Sequence, residues 1–153
     1  MFKHSLLFLA GFILFSTTRA QNPQRVKQAN TEKGLAIQGY DPVAYFTMGK
    51  ALKGKKEFSV LAEGITYYFS TPENKDLFKN DYKKYEPQYG GWCAYAMGAT
   101  AEKVEIDPET FKIKDGKLYL FYHTWTNNTL PKWNKNETNL KAKADQAWGK
   151  WLQ

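Results

Sequence analysis

The sequence predicts an α+β domain, in which a small antiparallel sheet is built from two hairpins and covered by helices. Three observations favour this class: two segments alternate apolar residues around a short turn, one segment with helical spacing lies between them, and another ends the chain. Strands with helices packed on one side are typical of α+β folds. The chain of 153 residues is long enough for one such domain.

The first twenty residues are typical of an export signal. Lys3 supplies a positive charge, and residues 6–15 form an apolar run that is shorter than the roughly twenty residues of a membrane-spanning helix. Thr18 and Ala20 are small residues at the spacing of a cleavage site. The alternative, an N-terminal membrane anchor, requires a longer apolar run. We therefore expect an exported protein, periplasmic or secreted, with no membrane span after signal removal.

The chain after this signal, assigned to residues 1–20, divides into two predicted parts. Residues 21–33 are polar and without apolar period, which predicts a flexible tether. Residues 34–153 form the single predicted domain. Near its start, alternation of Val43, Tyr45 and Thr47 predicts a short strand that Pro42 precedes.

The clearest local pattern is a β-hairpin around Glu63-Gly64, with apolar residues alternating on both sides of the turn. These residues are Phe58, Val60 and Ala62 before the turn, and Ile65, Tyr67 and Phe69 after it. A second hairpin is predicted at Asp115-Gly116, a strong two-residue turn signal. Its alternating residues are Phe111 and Ile113, followed by Leu118, Leu120 and Tyr122.

Two segments have helical spacing instead. The first has Ser70 or Thr71 as its cap and Pro72 at its first position, and it ends before Pro87. Its apolar side consists of Leu77, Phe78 and Tyr82. The second is an amphipathic helix at the carboxyl end, which we expect to lie on the sheet. Its apolar side consists of Leu140, Ala144, Ala147, Trp148 and Trp151.

The distribution of charge argues against a nucleic-acid-binding protein, and the cysteine content excludes a domain stabilised by internal disulfides. The net charge is +7, but basic and acidic residues are interspersed, which is typical of a solvated surface and not of a nucleic-acid-binding face. The single cysteine, Cys93, cannot form an internal disulfide, so packing must stabilise the domain. Aromatic residues make up 16% of the chain and are expected to supply most of the core.

The segment ITYYFSTPENKDLFKNDYKKY, residues 65–85, resembles the core of the YHS domain, a small module found beside metal-transporting ATPases and in stand-alone proteins. The family pattern is an aromatic strand that ends in Tyr-Phe-Cys, a second Cys after three residues, and a helix followed by an acidic residue, Pro and Tyr. The matching residues are Tyr68, Phe69, Phe78, Asp81 and Tyr85. Tyr82 stands where proline is usual. With GYDPVAYF and PQYGGWCAYA, residues 39–153 resemble an exported stand-alone subgroup.

The departures from this family concern its metal ligands. In metal-binding YHS domains the resemblance implies cysteine thiolates, the soft donors that copper and zinc prefer. The three corresponding positions here hold Ala44, Ser70 and Asn74, and none of these supplies a thiolate. The resemblance therefore implies the fold but not the cysteine site.

Cys93 is the residue whose role the sequence leaves most open. As a thiolate it would bind copper or zinc together with Met97, one helical turn further on, and His123. Alternatively, Cys93 and His123 would form the pair of a thiol-dependent enzyme or redox accessory, if the base reaches the thiol. A structural role is the third alternative, because free cysteine is among the most buried residue types.

Aromatic residues in the same motifs define a candidate pocket for a flat ligand or cofactor, with Asp41 at its edge. They are Tyr40, Tyr45, Tyr67, Tyr89, Trp92 and Tyr95. The alternatives are an aromatic core and, for Asp41, a turn residue that accepts backbone N–H groups.

The sequence as a whole favours a non-enzymatic binding module for a metal ion, copper or zinc, or for a small molecule or protein partner. A thiol-dependent enzyme, and an interaction module without a ligand, remain the alternatives. No nucleic acid is expected as a partner.

Overall fold

The computed structural model describes residues 23–153, and its helices and small sheets confirm the α+β class. The helices are α1 (Pro23–Gln28), α2 (Ala44–Thr47), α3 (Pro72–Asn80), α4 (Tyr82–Tyr85), α5 (Ala94–Thr100), α6 (Thr129–Asn134) and α7 (Glu137–Trp151). The strands are β1 (Thr31–Glu32), β2 (Leu35–Ala36), β3 (Lys55–Ala62), β4 (Ile65–Phe69), β5 (Asp107–Lys114), β6 (Lys117–Phe121), β7 (His123–Thr124) and β8 (Asn127–Asn128).

The first predicted hairpin is confirmed as β3 and β4, which pair antiparallel. Glu63 and Gly64 both have positive φ, 44° and 88°, as the tightest hairpin turns require. β2 pairs with β4 in parallel, and β1 pairs with β2, so the sheet is four-stranded and mixed, in the order β1-β2-β4-β3.

The second predicted hairpin is confirmed as β5 and β6, with positive φ at Asp115 and Gly116. It forms a two-stranded sheet of its own, and β7 and β8 form another. The two hairpins therefore lie in separate sheets and do not share the single antiparallel sheet that the alternation suggested. Period-2 patterns identify strands but do not specify their neighbours.

The helix predicted to end before Pro87 is present but interrupted at Asp81, where φ is −152° and ψ is 71°. It therefore forms α3 and α4. Thr71 caps α3, because its hydroxyl accepts a hydrogen bond from Asn74 N at 3.1 Å.

The carboxyl-terminal helix is confirmed at 137–151. α7 packs mainly on α5, and its buried residues share the second core cluster with β6, so it does not cover the four-stranded sheet. The two helices lie closest together at Gly98 of α5, where an added Cβ would lie 2.4 Å from Leu140 O of α7.

Residues 44–47 form the short helix α2, so the prediction of a strand there is wrong. Asp41 Oδ1 accepts hydrogen bonds from Val43 N at 2.8 Å and Ala44 N at 3.3 Å. These bonds satisfy N–H groups that a first helical turn leaves without intrahelical partners. Residues 41–45 are all buried, so the alternation of apolar residues here did not mark one face of a strand.

The prediction of a flexible tether is wrong for residues 23–33, which form α1 and β1. Arg25 Nη1 donates hydrogen bonds to Ala62 O at 3.3 Å and Glu63 O at 3.0 Å, at the turn of the first hairpin. The domain therefore includes this polar segment, which tertiary hydrogen bonds hold in place. The predicted signal, residues 1–20, lies outside the described residues.

Two clusters of buried side chains form the core. The first lies between the four-stranded sheet, α3 and the second hairpin, and it includes Phe69, Phe78 and Cys93. The second lies between β6 and the helices α5, α6 and α7, and it includes Met97 and Trp133. Aromatic rings contribute to both clusters, as the composition predicts.

Candidate functional site

Cys93 directly precedes α5, and its side chain is fully buried. Its Sγ accepts a hydrogen bond from Tyr122 N at 3.3 Å and lies 3.5 Å from Thr129 Oγ1. Thr129 Oγ1 in turn donates to Tyr122 O at 2.8 Å. The sulfur thus contributes to a hydrogen-bond network that joins the start of α5, the residue after β6, and the start of α6.

The other two predicted metal donors have different neighbours. Met97 is fully buried in the second core cluster, whereas Cys93 packs in the first. His123 Nδ1 lies 2.8 Å from Thr110 Oγ1 and 3.4 Å from Asp107 Oδ2. Within the described part of the chain, no three His, Cys, Asp or Glu residues form a group that could hold a metal ion. The Cys–His hydrogen bond that a thiol-dependent enzyme requires is not made either.

The positions at which the resemblance places cysteines meet at one point, the carboxylate of Asp41. Its Oδ2 accepts hydrogen bonds from Ser70 N at 2.8 Å, Ser70 Oγ at 2.6 Å and Asn74 Nδ2 at 2.7 Å. Its Oδ1 accepts the two bonds from Val43 and Ala44. We call Asp41, Ser70 and Asn74 the Asp41 cluster.

The Asp41 cluster is closed. The carboxylate has no exposed surface, and no cation of residues 23–153 lies within 4 Å of it. Hydrogen-bond donors therefore take the place of solvent around the charge. The prediction that Asp41 accepts backbone N–H groups in a turn is confirmed. The cluster offers no thiolate, and both carboxylate oxygens are occupied, so its residues do not fit a copper or zinc ion.

Of the six aromatic residues predicted to line a pocket, Tyr67 and Tyr89 lie in one cleft, and the other four are dispersed. Tyr45 is buried, its hydroxyl donates to Pro108 O at 2.8 Å, and burial raises its pKa far above the ordinary value. Trp92 Nε1 donates to Gln28 O at 2.7 Å. Tyr40 lies under the ammonium group of Lys53, 4.4 Å from its ring centre. Tyr95 is half-buried between the two core clusters. These residues and Asp41 do not form a common pocket.

A cleft of about 370 Å³ lies elsewhere, between the segment that follows α1, the turn at residues 87–91, and the carboxyl-terminal part of α7. Its apolar wall includes Ile37, Ile65, Pro87 and Trp148. Its charged and amide side chains are Arg25, Asn30, Lys83, Glu86, Gln88 and Asp145. The segment PQYGG, residues 87–91, lines the cleft.

The turn at residues 87–91 has an unusual backbone. Tyr89 and Gly90 are both left-handed, with φ of 55° and 60°. Positive φ is uncommon for a large residue, and the burial of Tyr89, with its hydroxyl bonded to Asp145 Oδ1 at 2.8 Å, holds it there. Gly90 cannot be larger, because an added Cβ would lie 2.7 Å from the Trp148 ring. The turn and α7 are therefore fitted closely to each other.

Two hydrogen-bonded groups of charged side chains border the cleft. In the first, Arg25 forms an ion pair with Glu86, and Tyr67 OH donates to Glu86 Oε1 at 2.8 Å. In the second, Asp145 accepts hydrogen bonds from Tyr89 OH and from Lys141 Nζ, the latter at 2.7 Å. Each carboxylate of the cleft wall thus has both a cation and a tyrosine as partners.

Burial raises the pKa values of both tyrosines well above the ordinary value. For Tyr67 the loss of hydration is the main cause, and Arg25 partly opposes it. For Tyr89 the hydrogen bond to Asp145 adds to the loss of hydration. Both hydroxyls are therefore protonated and uncharged at neutral pH, and they act as hydrogen-bond donors.

A wider groove of about 690 Å³ lies between α5 and α7. Its charged residues, Lys143 and Lys150, are exposed, and the hydrogen bond that joins its two sides runs from Trp151 Nε1 to Ala101 O, at 3.2 Å. The smaller cleft has fixed polar groups on facing walls and is for that reason the better candidate for a site.

Sequence reasoning named Tyr67 and Tyr89 as pocket residues but missed the rest of this cleft. The pair Gly90-Gly91 did indicate an unusual backbone, which the structure confirms. The sequence did not indicate which polar side chains would pair at the cleft. Arg25 and Glu86 are 61 residues apart, and Tyr89 and Asp145 are 56 residues apart.

Comparisons with protein-family models, curated proteins and solved structures found no match for this chain. The kinship with YHS domains therefore stays a prediction. Among the described helices, none combines the length and the apolar character needed to cross a bilayer. Fold and site together define a small α+β domain with one preformed polar cleft and a closed carboxylate cluster.

Proposed function

We propose that this chain is an exported, non-enzymatic binding module of YHS type, and that it holds a small organic ligand in the cleft. The observation that supports this most is that the two carboxylates of the cleft wall are fixed before a ligand arrives. Glu86 and Asp145 are each held by a tyrosine hydroxyl and a cation. Preformed polar groups on a partly apolar wall are typical of ligand sites, and 370 Å³ falls within their usual size.

Export is part of the proposal and rests on the sequence of residues 1–20 alone. Copper or zinc is the less favoured ligand, because Cys93, Met97 and His123 have separate partners. Loading the full chain with copper(I) or zinc, and repeating this with Cys93→Ser, tests that alternative. Lower metal stoichiometry in the variant would restore the metal hypothesis.

The cleft itself can be tested with N-phenyl-1-naphthylamine, an uncharged aromatic probe that fluoresces on entering an apolar site. We expect the full chain to bind it, and Trp148→Ala to weaken binding because one wall of the cleft is lost. Trp125→Ala is the matched control, since this side chain is 90% exposed and lies at the β7–β8 turn.

A second variant separates loss of the site from loss of the fold. Ala29→Trp adds an indole at the cleft wall and should block the probe, while the thermal unfolding midpoint shows whether the domain remains folded. Binding that survives both Trp148→Ala and Ala29→Trp would overturn the proposal.

A further inference from the structure

We infer that the ligand of this cleft is a small organic anion with an apolar body, such as an aromatic or branched carboxylate or sulfonate. The inference rests on the proposed function, since it names the chemical class that the same cleft would take.

The first step is the balance of charge at the cleft wall. Arg25 is paired with Glu86, and Asp145 is paired with Lys141, so these four side chains neutralise one another. Lys83 also lines the cleft, and it has no carboxylate within 4 Å among residues 23–153. Of the two cations that line the cleft, Arg25 and Lys83, only Lys83 is therefore without a carboxylate partner among the described residues.

The second step is the supply of hydrogen-bond acceptors. Glu86 Oε1 already accepts from Arg25 and Tyr67, and both oxygens of Asp145 accept from protein donors, so Glu86 Oε2 is the one oxygen of these two carboxylates without a hydrogen bond to the described residues. A cationic ligand would have to compete with these partners for the other three oxygens. An anion would find Lys83 and the half-buried amide of Gln88, whose side chain makes no hydrogen bond to the described residues.

The third step is the shape of the site. Lys83 is exposed, whereas Ile65 and Ala36 are buried and Trp148 is half-buried. The cation therefore lies towards solvent, and the apolar surface lies deeper. A ligand with an anionic group at one end and an apolar body at the other matches this order, with the charged end remaining partly hydrated.

A matched pair of probes tests the charge requirement. 8-Anilinonaphthalene-1-sulfonate and N-phenyl-1-naphthylamine share their aromatic rings, and only the first carries a sulfonate. We expect the full chain to bind the sulfonate more tightly at low salt. Lys83→Gln should weaken its binding about two- to fivefold, as expected for an exposed ion pair, and leave the uncharged probe unaffected.

Lys84→Gln is the matched control, because Lys84 lies over the ring of Tyr85 and does not line the cleft. It should change the affinity for neither probe. The preference for the sulfonate should shrink between about 0.05 and 0.5 M salt, where screening shortens the range of the charge.

The two proposals fail in different ways. Equal affinity for both probes, with no effect of Lys83→Gln, would overturn the anion inference even if Trp148→Ala still weakens both. The inference would also be overturned if Lys84→Gln removed the preference for the sulfonate probe. If Ala29→Trp and Trp148→Ala leave both probes bound, the site itself is wrong and both proposals fall.

Discussion

The Asp41 cluster and the cleft differ in how each accommodates carboxylates. Asp41 is fully buried, has no cationic partner, and is surrounded by hydrogen-bond donors from three segments of the chain. Glu86 and Asp145 remain partly exposed, and each is paired with a cation. A carboxylate with no access to solvent can only hold the protein together, whereas one at an open wall shapes a site. The first region is therefore structural, and the second is the one to test for binding.

The largest expected effect is at Asp41. Asp41→Ala leaves donors of Ser70 and Asn74 buried without an acceptor, and we expect the free energy of unfolding to fall by about 3 kcal/mol or more. Urea unfolding measures this loss. Asp76→Ala is the control, an exposed residue of α3 whose removal should change stability by less than about 0.5 kcal/mol. Similar losses in the two variants would contradict the structural role of the cluster.

Gly90 in the cleft should give the next largest effect. Gly90→Ala places a methyl group against the Trp148 ring in a left-handed backbone, and we expect a loss of about 2 kcal/mol in urea unfolding. Gly149→Ala in α7 is the matched change, because nothing lies within 4 Å of its added Cβ. It should stabilise the helix by a few tenths of a kcal/mol. If both variants changed the free energy of unfolding in the same direction, the turn at residues 87–91 and α7 would not be packed as closely as described.

The alkylation rate of Cys93 tests whether its thiol is accessible to reagents in the folded protein. Because it is fully buried and bonded to Tyr122 N, we expect iodoacetamide to alkylate it at least about a hundredfold more slowly in the native protein than in urea. Mass spectrometry over time measures both rates. Comparable rates in the two states would return Cys93 to the list of reactive residues.

The smallest expected effect is the pH dependence at Glu137, the first residue of α7. Hydrogen bonds from Lys112 and Trp133 lower the pKa of its carboxyl group in the folded state. Its contribution is therefore complete above the pKa of the unfolded chain and is lost as pH falls through the lower folded-state pKa. Glu137→Gln should cost less than about 1 kcal/mol at pH 7.

This small cost should vanish on acidification, so urea unfolding at several pH values between 7 and 2 gives the comparison. Glu109→Gln, at an exposed position of β5, serves as the control. A difference between wild type and Glu137→Gln that grows towards low pH would contradict the direction of the pKa shift.

The sequence predicted those parts of the fold that short-range patterns control. Both hairpins follow from alternation plus a turn at Glu63-Gly64 or Asp115-Gly116, and α3 follows from the Thr71 cap. α2 was missed because its capping carboxylate, Asp41, is itself held by residues about 30 positions further along the chain.

The candidate site was harder to predict for the same reason. α1 has no buried residue, so its sequence shows no apolar period, and the contacts of Arg25 that fix it lie beside β4 and α4. Of the predicted residues, Asp41 has the turn role given as its alternative, Tyr67 and Tyr89 line the cleft, and the others do not come together. No property of a single segment indicates which distant side chains will share a cleft.

The reach of Arg25 has a practical consequence for anyone who shortens this chain. In the sequence, a fragment that starts after Asn30 would seem acceptable, because residues 21–30 are mostly polar, although Val26 and Ala29 pack against the core. It would nonetheless deprive Glu86 of its counter-ion and expose the side of the Gly90 turn opposite Trp148. Removing the amino-terminal residues would thus alter the turn that packs on the carboxyl-terminal helix. If such a fragment failed to bind a probe, the result would not show that the intact protein lacks a binding site.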